Sequence, residues 1–337
     1  MRRALYLATR SGPQTSPNPK VGCVIAAGER IVAEGLFRRD GGPHAEVDAL
    51  LRLPPPDQLD RGTLAAYVSL EPCSIHGRTP PCADRLVAEG IGRVFVAALD
   101  ATPGVCGQGL AILRRGGLAI EFGLGQDLGY ALARPRAVFA TAGRPYVILK
   151  QAVTSDGYVG RRGERVAITG AVANVISHQW RASVDAILVG AGTVLADRPS
   201  LRTRHVVGRS PRVVVVDPRG RLSPKLVRTY FPPADDRAVD YYAGPAASVS
   251  NVVARLHEAR VGRLLVEGGP ATLERFAAAG AWDEYREWRS PRALSPGAGA
   301  ALPAARVVGT WTSTAAVGPD ALHCYRPADV YDCSPAR

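Results

Sequence analysis

Long apolar runs separated by turn residues mark out the first part of the chain. The segments 21–26 and 64–70 are almost entirely apolar and lack the polar alternation of a half-exposed strand. Such runs are typical of strands that are covered on both faces of a sheet. Segments with helical spacing, bounded by Gly and Pro, lie between them. The pattern predicts strands at 21–26, 31–35, 64–70, 94–99 and 119–122, and helices at 2–10, 44–52, 82–89 and 110–115.

A second α/β pattern follows a segment that contains helix breakers. Residues 133–144 include Pro135, Gly143 and several arginines, which are typical of a domain boundary. The length of 337 residues suits two domains, and 46% hydrophobic residues suffice for a core in each. Beyond the boundary, the pattern predicts strands at 145–150, 184–190, 213–217 and 263–267, and helices at 251–260 and 271–279.

The strong positive charge does not by itself indicate a nucleic-acid partner. The formal net charge is +12, but only three of the 42 basic residues are lysines, and the arginines are scattered along the chain. An RNA-binding or RNA-editing module therefore stays only an alternative. Six cysteines in a chain of this length do not form a disulfide framework. Because we find no secretory signal and no run of transmembrane length, we expect a cytoplasmic protein without nucleic-acid or membrane partners.

One stretch of the first domain carries the ligand set of a zinc site. His44, Cys73 and Cys82 offer one imidazole and two thiolates, which zinc binds tetrahedrally while its fourth position stays open. Two alternatives remain at this stage: His76 could close the site as a fourth ligand, or the cysteines could be small buried apolar residues. Glu46, two positions after His44, is not needed as a ligand. In zinc nucleobase deaminases, the glutamate of an H-x-E motif acts as general acid and base.

Several motifs surround these residues. They are Ser16-Pro17-Asn18-Pro19-Lys20-Val21-Gly22, His44-Ala45-Glu46-Val47, Glu71-Pro72-Cys73-Ser74 and Gly77-Arg78-Thr79-Pro80-Pro81-Cys82-Ala83-Asp84. Together they resemble the deaminase half of the RibD (also RibG) family of bifunctional riboflavin-biosynthesis enzymes, including its inserted loop between the two cysteines. The resemblance implies a cytidine-deaminase-like α/β/α sandwich over residues 1–141. It also implies Zn²⁺ bound by His44, Cys73 and Cys82, with Glu46 as the catalytic proton shuttle.

The same resemblance implies a substrate for the first domain. That substrate is a phosphorylated pyrimidine, 2,5-diamino-6-(ribosylamino)pyrimidinone 5′-phosphate, which loses ammonia. Asn18 would hydrogen-bond its pyrimidine or its ribose, and Arg78 would contact its phosphate. The family's Cys-Ser-His stands here as Cys73-Ser74-Ile75, so a substrate-contacting imidazole is lost or has moved to His76.

Two glycine-containing turns follow predicted strands in the second domain. They are Gly190-Ala191-Gly192-Thr193 and Glu267-Gly268-Gly269-Pro270. Neither is the G-x-G-x-x-G dinucleotide fingerprint. From the spacing alone, each is either a tight turn or a place where backbone amides approach a phosphate.

Further motifs of the second domain resemble the reductase half of the same family. They include Leu149-Lys150, Ile168-Thr169-Gly170, His178 with Arg181, the run from Asp185 to Asp197, Arg204, and Asp283-Glu284. The resemblance implies a dihydrofolate-reductase-like α/β domain over residues 145–337 that uses NADPH to reduce the ribosyl group to ribityl. The implied NADPH-binding residues are Thr169, Gly190, Gly192, Thr193, Gly268 and Gly269. The implied substrate-binding residues are Lys150, Arg181, Asp197, Arg204 and Glu267.

Departures from the family pattern are denser in the second domain. Arg165 and Ala167 replace a serine and a tryptophan, the segment 285–289 is charged where an apolar strand is expected, and the tail from Gly309 matches no family motif. Further differences are Thr102, Thr154, Arg198 and Arg202. These changes support an alternative hypothesis: a relative whose deaminase is active but whose reductase domain is divergent or inactive, acting on another heterocycle. For either enzyme we expect a homodimer or homotetramer.

Overall fold

The computed structural model describes residues 1–77, 80–161, 166–232, 237–294 and 301–328. Within them the chain divides into two compact units, Met1–Arg144 and a second unit that begins at Pro145. Both are α/β, as the hydrophobic pattern predicts. Over these described residues, every helix falls short of the length and apolar character needed to cross a membrane.

The first unit is built on a five-stranded sheet of order β2-β1-β3-β4-β5. Strand β1 is antiparallel to β2 and β3, whereas β3, β4 and β5 run parallel. The elements are α1 (Arg2–Arg10), β1 (Gly22–Ala27), β2 (Arg30–Leu36), α2 (Ala45–Leu50), β3 (Leu64–Val68), α3 (Cys82–Ala88), β4 (Arg93–Val96), α4 (Gln108–Arg115), β5 (Ala119–Phe122) and α5 (Gln126–Thr141).

Two glycines let helices approach opposite faces of this sheet. A Cβ at Gly22 would lie 2.2 Å from the carbonyl oxygen of Ala4 in α1, and one at Gly35 would lie 1.9 Å from that of Ala45 in α2. Gly35 pairs with Cys23, the neighbour of Gly22, and successive residues of a strand face opposite sides. Helix α1 also contacts α5, and α2 and α4 both contact α3. The unit is therefore an α/β/α sandwich, with both candidate cysteines and His44 on the α2–α3 side.

The second unit has a larger, mostly parallel sheet of order β10-β9-β8-β11-β6-β12-β15-β14. The first six strands in this order are parallel neighbours, and β15 is antiparallel to β12 and β14. A separate antiparallel pair joins β7 and β13. The elements are β6 (Tyr146–Val153), β7 (Tyr158–Arg161), α6 (Ala171–Ser183), β8 (Ala186–Gly190), α7 (Ala191–Asp197), β9 (Arg212–Asp217), α8 (Pro224–Tyr230), β10 (Val239–Ala243), α9 (Val249–Glu258), β11 (Arg263–Val266), α10 (Pro270–Ala278), β12 (Glu284–Arg289), β13 (Ala301–Pro303), β14 (Thr310–Val317) and β15 (Asp320–Arg326).

The segment 133–144, which the sequence predicts as the domain boundary, is helical over most of its length. Residues 133–141 belong to α5, a 16-residue helix with Pro135 in its interior. A proline in a helix interior removes one backbone hydrogen bond, so the sequence around Pro135 indicates a break rather than a helix. The helix is retained because it buries Ala133, Ala137, Val138 and Phe139. Tertiary packing thus outweighs the local signal, and the compact units divide three residues beyond the helix end.

The charged segment 285–289 is a strand after all. As β12 it lies between β6 and β15, with Tyr285 and Trp288 buried. Its charges are neutralised within the strand, since Arg286 forms a bidentate ion pair with Glu284 and also lies over the ring of Trp180 at 4.7 Å. The tail after Gly309, which sequence motifs did not place, supplies β14 and β15.

Candidate functional site

The three candidate zinc ligands of the first unit lie at the starts of helices or in the loop between them. His44 is the N-cap of α2, Cys73 follows β3, and Cys82 is the first residue of α3. His44 Nδ1 lies 3.5 Å from Cys73 Sγ and 3.3 Å from Cys82 Sγ, and all three ligand atoms lie within 4.8 Å of one another. Zinc bonds of about 2.0–2.1 Å to nitrogen and about 2.3 Å to sulfur place those atoms about 3.5 Å apart at a tetrahedral angle. The donors therefore fit a zinc ion.

Neighbouring groups orient His44 and favour the thiolate form of Cys73. The ring of Phe37 packs edge-on against His44, with 5.4 Å between ring centroids. Hydrogen bonds from the Cys82 side chain, His44 and the Cys82 backbone amide lower the pKa of the Cys73 thiol, which favours the thiolate that binds metal. His76 is exposed, and in the described part of the chain no fourth His, Cys, Asp or Glu joins the group. The fourth position that a catalytic zinc needs is thus left to water or substrate.

Glu46 is buried beside the ligand cluster. It lies in the first turn of α2 and is only 3% exposed. Burial raises the pKa of its carboxyl to about 7, and the negative charge of Cys73 contributes in the same direction. A carboxyl with such a pKa can both accept and donate a proton near neutral pH.

The candidate substrate residues of the first unit are placed unequally. The side-chain amide of Asn18 donates to Asp40 Oδ1 at 2.8 Å, which fixes its orientation. Asp40 was missed because Asp40-Gly41 looks like an ordinary turn. His76 and Ile75 are exposed on the inserted loop. Arg78 lies outside the described residues.

The second unit gathers three candidate substrate residues from separate elements. Arg181 on α6 donates from Nε and a terminal nitrogen to the two Glu267 oxygens, at 2.9 and 2.7 Å, and Lys150 of β6 lies within electrostatic reach of both. Burial alone would raise the pKa of Glu267, but Lys150 and Arg181 outweigh it and hold that pKa below its usual value. Burial lowers the pKa of Lys150. The cluster is therefore a largely buried charged group in which Arg181 and Glu267 form an ion pair.

His178, for which the sequence predicts no specific role, attaches a neighbouring loop to this cluster. It lies one helical turn before Arg181 and is 1% exposed. Its Nδ1 accepts the backbone N–H of Arg204 at 3.1 Å, while Arg181 donates to the carbonyl oxygen of Arg202 at 3.4 Å. Burial and the charge of Arg181 lower the pKa of His178 to about 4, so the ring is neutral and can accept.

The two glycine turns lie side by side, since β8 and β11 are parallel neighbours. The amide of Gly269 donates to Thr193 Oγ1 at 3.1 Å and joins them. A Cβ at Gly190 or Gly268 would collide with Thr272, at 2.5 and 2.6 Å respectively. These two glycines are therefore required by the packing of α10.

The other two glycines of these turns leave room for a ligand. A Cβ at Gly192 or Gly269 would meet nothing closer than 3.6 Å, so the backbone there is open to a bound group. Gly269 is also the N-cap of α10, a nine-residue helix whose N-terminus carries a positive potential, although Pro270 at its first position has no N–H to donate. The arrangement fits the phosphates of a dinucleotide.

The remaining candidates lie at element ends. Asp197 is the last residue of α7, and Thr169 precedes Gly170, the N-cap of α6. Of the departures from the family pattern, Arg165 lies outside the described residues and Ala167 is exposed. Thr154 is buried in the turn between β6 and β7, where its hydroxyl accepts the backbone N–H of Tyr158 at 3.0 Å.

Two family models match the chain, one on each unit. The cytidine and deoxycytidylate deaminase zinc-binding region matches residues 1–98, and the RibD C-terminal domain matches residues 145–300. These matches agree with the placement of the His/Cys/Cys cluster in the first unit and of the ion-paired cluster and glycine turns in the second.

Relatives of known identity match over most of the chain. The riboflavin biosynthesis protein RibD of Aquifex aeolicus is 33% identical over 315 residues, which cover 88% of this chain and 87% of that protein. RibD of Escherichia coli is 34% identical over 325 residues, covering 87% of each. Among solved structures, the diaminohydroxyphosphoribosylaminopyrimidine deaminase/5-amino-6-(5-phosphoribosylamino)uracil reductase of Thermotoga maritima superposes with a TM-score of 0.85 at 31% identity, covering 97% of both chains. Acinetobacter baumannii RibD gives 0.83 at 29% identity, covering 97% of this chain and 98% of that one.

Proposed function

The chain belongs to the RibD family of bifunctional riboflavin-biosynthesis enzymes, and on that basis we propose that it catalyses two successive steps on one phosphorylated pyrimidine. Residues 1–141 would remove ammonia from 2,5-diamino-6-(ribosylamino)pyrimidinone 5′-phosphate. Residues 145–337 would then reduce its ribosyl group to ribityl with NADPH. Because full-length relatives match both halves, a retuned paralogue or an RNA-directed module is not favoured.

The observation that carries the deaminase proposal is the cluster of His44, Cys73 and Cys82 beside buried Glu46. We assign the first three as the zinc ligands. Zinc bound there supplies a Lewis acid that makes water nucleophilic near neutral pH. Glu46 would carry both protons of the attacking water in turn, the first to the ring nitrogen and the second to the departing amino group, for which a pKa of about 7 is suited.

We assign substrate recognition in the first unit to Asn18, His76 and Arg78. The hydrogen bond from Asn18 to Asp40 supports this role, because an amide with a fixed orientation can read the pyrimidine or its ribose. His76 and Arg78 belong to the inserted loop. An imidazole and a guanidinium can both donate hydrogen bonds to a phosphate.

In the second unit we assign Lys150, Arg181, Asp197, Arg204 and Glu267 to the substrate. The Arg181–Glu267 ion pair, with Lys150 within electrostatic reach, supports this, since fixed charges in a site partly shielded from water orient a polar sugar phosphate. NADPH supplies the hydride for the ribosyl carbon. Its phosphates would lie along the open backbone at Gly192 and Gly269, and the assigned cofactor residues are Thr169, Gly190, Gly192, Thr193, Gly268 and Gly269.

We further propose a homodimer or homotetramer acting in the cytoplasm, without nucleic-acid or membrane partners. Both proposed reactants are small phosphorylated molecules, which need no macromolecular partner for recognition.

The proposal is tested by following ammonia release and NADPH oxidation separately after adding the diaminopyrimidinone substrate. Wild type should give both signals, and NADPH oxidation should require prior deamination. Glu46→Gln should keep its zinc and lose ammonia release by at least about 100-fold, because a carboxamide cannot exchange the proton. It should still oxidise NADPH when supplied with the deaminated substrate.

Glu89→Gln is the matched control, since Glu89 lies in the same unit but, among the described residues, its side chain pairs only with Arg85 at the surface. It should behave as wild type. If a zinc-loaded wild-type protein gave neither signal, the proposed substrate would be excluded. Ammonia alone would leave the deaminase assignment standing and refute the assigned reductase step.

A further inference from the structure

Glu71, which no proposed catalytic step uses, receives four backbone hydrogen bonds. It is 3% exposed. One carboxylate oxygen accepts the amides of Asp100 and Gly107 at 3.2 and 3.0 Å, and the other accepts those of Gly109 and Leu110 at 2.9 and 3.3 Å. A buried carboxylate with this many donors is fixed in both position and rotation.

The four donors come from the loop that follows β4 and from the helix after it. Asp100 and Gly107 lie in the loop 97–107 between β4 and α4, and Gly109 and Leu110 lie in the first turn of α4. The first amides of a helix have no partner within the helix, and the N-cap here is Gly107, which has no side chain to supply one. The Glu71 carboxylate serves as that cap from a distance and closes the loop at the same time.

The same contacts reach the metal ligands through the backbone. Glu71 is two residues before Cys73, and its own amide donates to Ala98 at 2.8 Å. A Cβ at Gly109 would lie 2.0 Å from the carbonyl oxygen of Pro72, so α4 packs directly on the residue between Glu71 and Cys73. The carbonyl of Cys73 in turn accepts the amide of Ala83 in α3 at 3.2 Å.

We propose that Glu71 is a positioning residue for the deamination. Its carboxylate ties the segment that carries Cys73 to the loop 100–107 and to α4, and thereby keeps the Cys73 sulfur at its distance from His44 and Cys82. This inference rests on the proposed zinc deaminase function. A purely structural role would change only stability, whereas a positioning role also changes the affinity for zinc and the turnover of bound substrate.

The test compares the full-length wild type with Glu71→Gln, Glu71→Ala and the surface control Glu89→Gln. Glutamine keeps one acceptor oxygen but presents an amino group to two of the four N–H donors. We expect zinc affinity, measured by competition with a chromophoric chelator, to fall about 10-fold in Glu71→Gln and about 100-fold in Glu71→Ala. The kcat of ammonia release at saturating zinc should fall by similar factors, with KM changed less than about threefold.

A second variant approaches the same contact from the helix. Gly109→Ala keeps the Glu71 carboxyl group but places a methyl group 2.0 Å from the Pro72 carbonyl oxygen and 3.2 Å from Glu71 Oε1, so it should also weaken zinc binding. It still tests the positioning role if Glu71→Ala fails to fold. In every variant, NADPH oxidation with the deaminated substrate should stay at the wild-type rate and report an intact second unit.

The positioning role would be overturned if Glu71→Gln and Gly109→Ala bound zinc and released ammonia as the wild type does, even if both melted at a lower temperature. Failure of the deaminase proposal itself has a different signature, because the wild type and Glu89→Gln would then bind zinc but release no ammonia. The zinc titration would still report whether Glu71 holds the ligand loop.

Discussion

Two buried titratable side chains, Glu46 and His178, have pKa values shifted in opposite directions by the same cause. Burial penalises the charged form of each, so it raises the pKa of the Glu46 carboxyl to about 7 and lowers that of the His178 imidazole to about 4. The first shift suits a proton carrier, and the second keeps a hydrogen-bond acceptor neutral. The same physical effect therefore supports chemistry in one unit and loop attachment in the other.

The stability of the second unit should depend on pH through His178. Its pKa in the folded protein, about 4, lies below the ordinary value of 6.5, so the unfolded state binds the proton more tightly. This contribution to the free energy of unfolding is fully present above pH 6.5 and is lost as the pH falls towards 4. His178→Asn keeps an acceptor for the Arg204 amide but does not titrate there.

Denaturant unfolding from pH 7 to pH 4.5 measures this difference. The wild type should lose more stability than His178→Asn across the interval, whereas both share the protonation of their carboxyl groups. Parallel stability profiles would show that His178 is not held neutral by the fold.

At the scale of elements, Thr272 of α10 sets the requirement for glycine in both neighbouring turns. Gly190→Ala would bring its methyl 2.5 Å from the Thr272 hydroxyl, and Gly268→Ala would bring one 2.6 Å from Thr272 Cβ. Each substitution should lower the free energy of unfolding by about 1–3 kcal/mol and weaken NADPH binding.

Thr272→Ala separates the two turns in thermal melts. It removes the hydroxyl and leaves Cβ, so it should rescue Gly190→Ala, whose next contact with Thr272 is at 3.9 Å, but not Gly268→Ala. Equal rescue of both, or of neither, would contradict this account of the packing.

At the scale of the whole molecule, all three candidate zinc ligands belong to the first compact unit. Removing zinc with a chelator should therefore lower the melting temperature of that unit. The loss is about 2.7 kcal/mol for a site previously held at a zinc concentration 100 times its Kd. NADPH oxidation with the deaminated substrate should be unchanged, and ammonia release should return when zinc is added back. If the rate of NADPH oxidation fell when zinc was removed, the reductase activity would not be independent of the zinc site.

The sequence by itself determined what each short segment can do. Residue types at fixed spacing identified His44, Cys73 and Cys82 as candidate zinc ligands, because metal binding needs particular donor atoms whatever surrounds them, and the H-x-E pattern indicated Glu46 as the candidate proton carrier. Continuous apolar runs identified the strands β1 and β3 for a similar reason, since such runs are shielded from water only inside a sheet that is covered on both faces.

Only the tertiary structure decided features that depend on partners distant along the chain. Helix α5 keeps Pro135 because it buries four apolar side chains, and β12 carries charges because Glu284 and Trp180 neutralise and cover Arg286. Likewise, Glu71 and His178 gain their roles from backbone amides 29 and 26 residues away in sequence. Local sequence records the propensity and the donor atoms of a segment, whereas burial and hydrogen-bond partners arise only when distant segments meet.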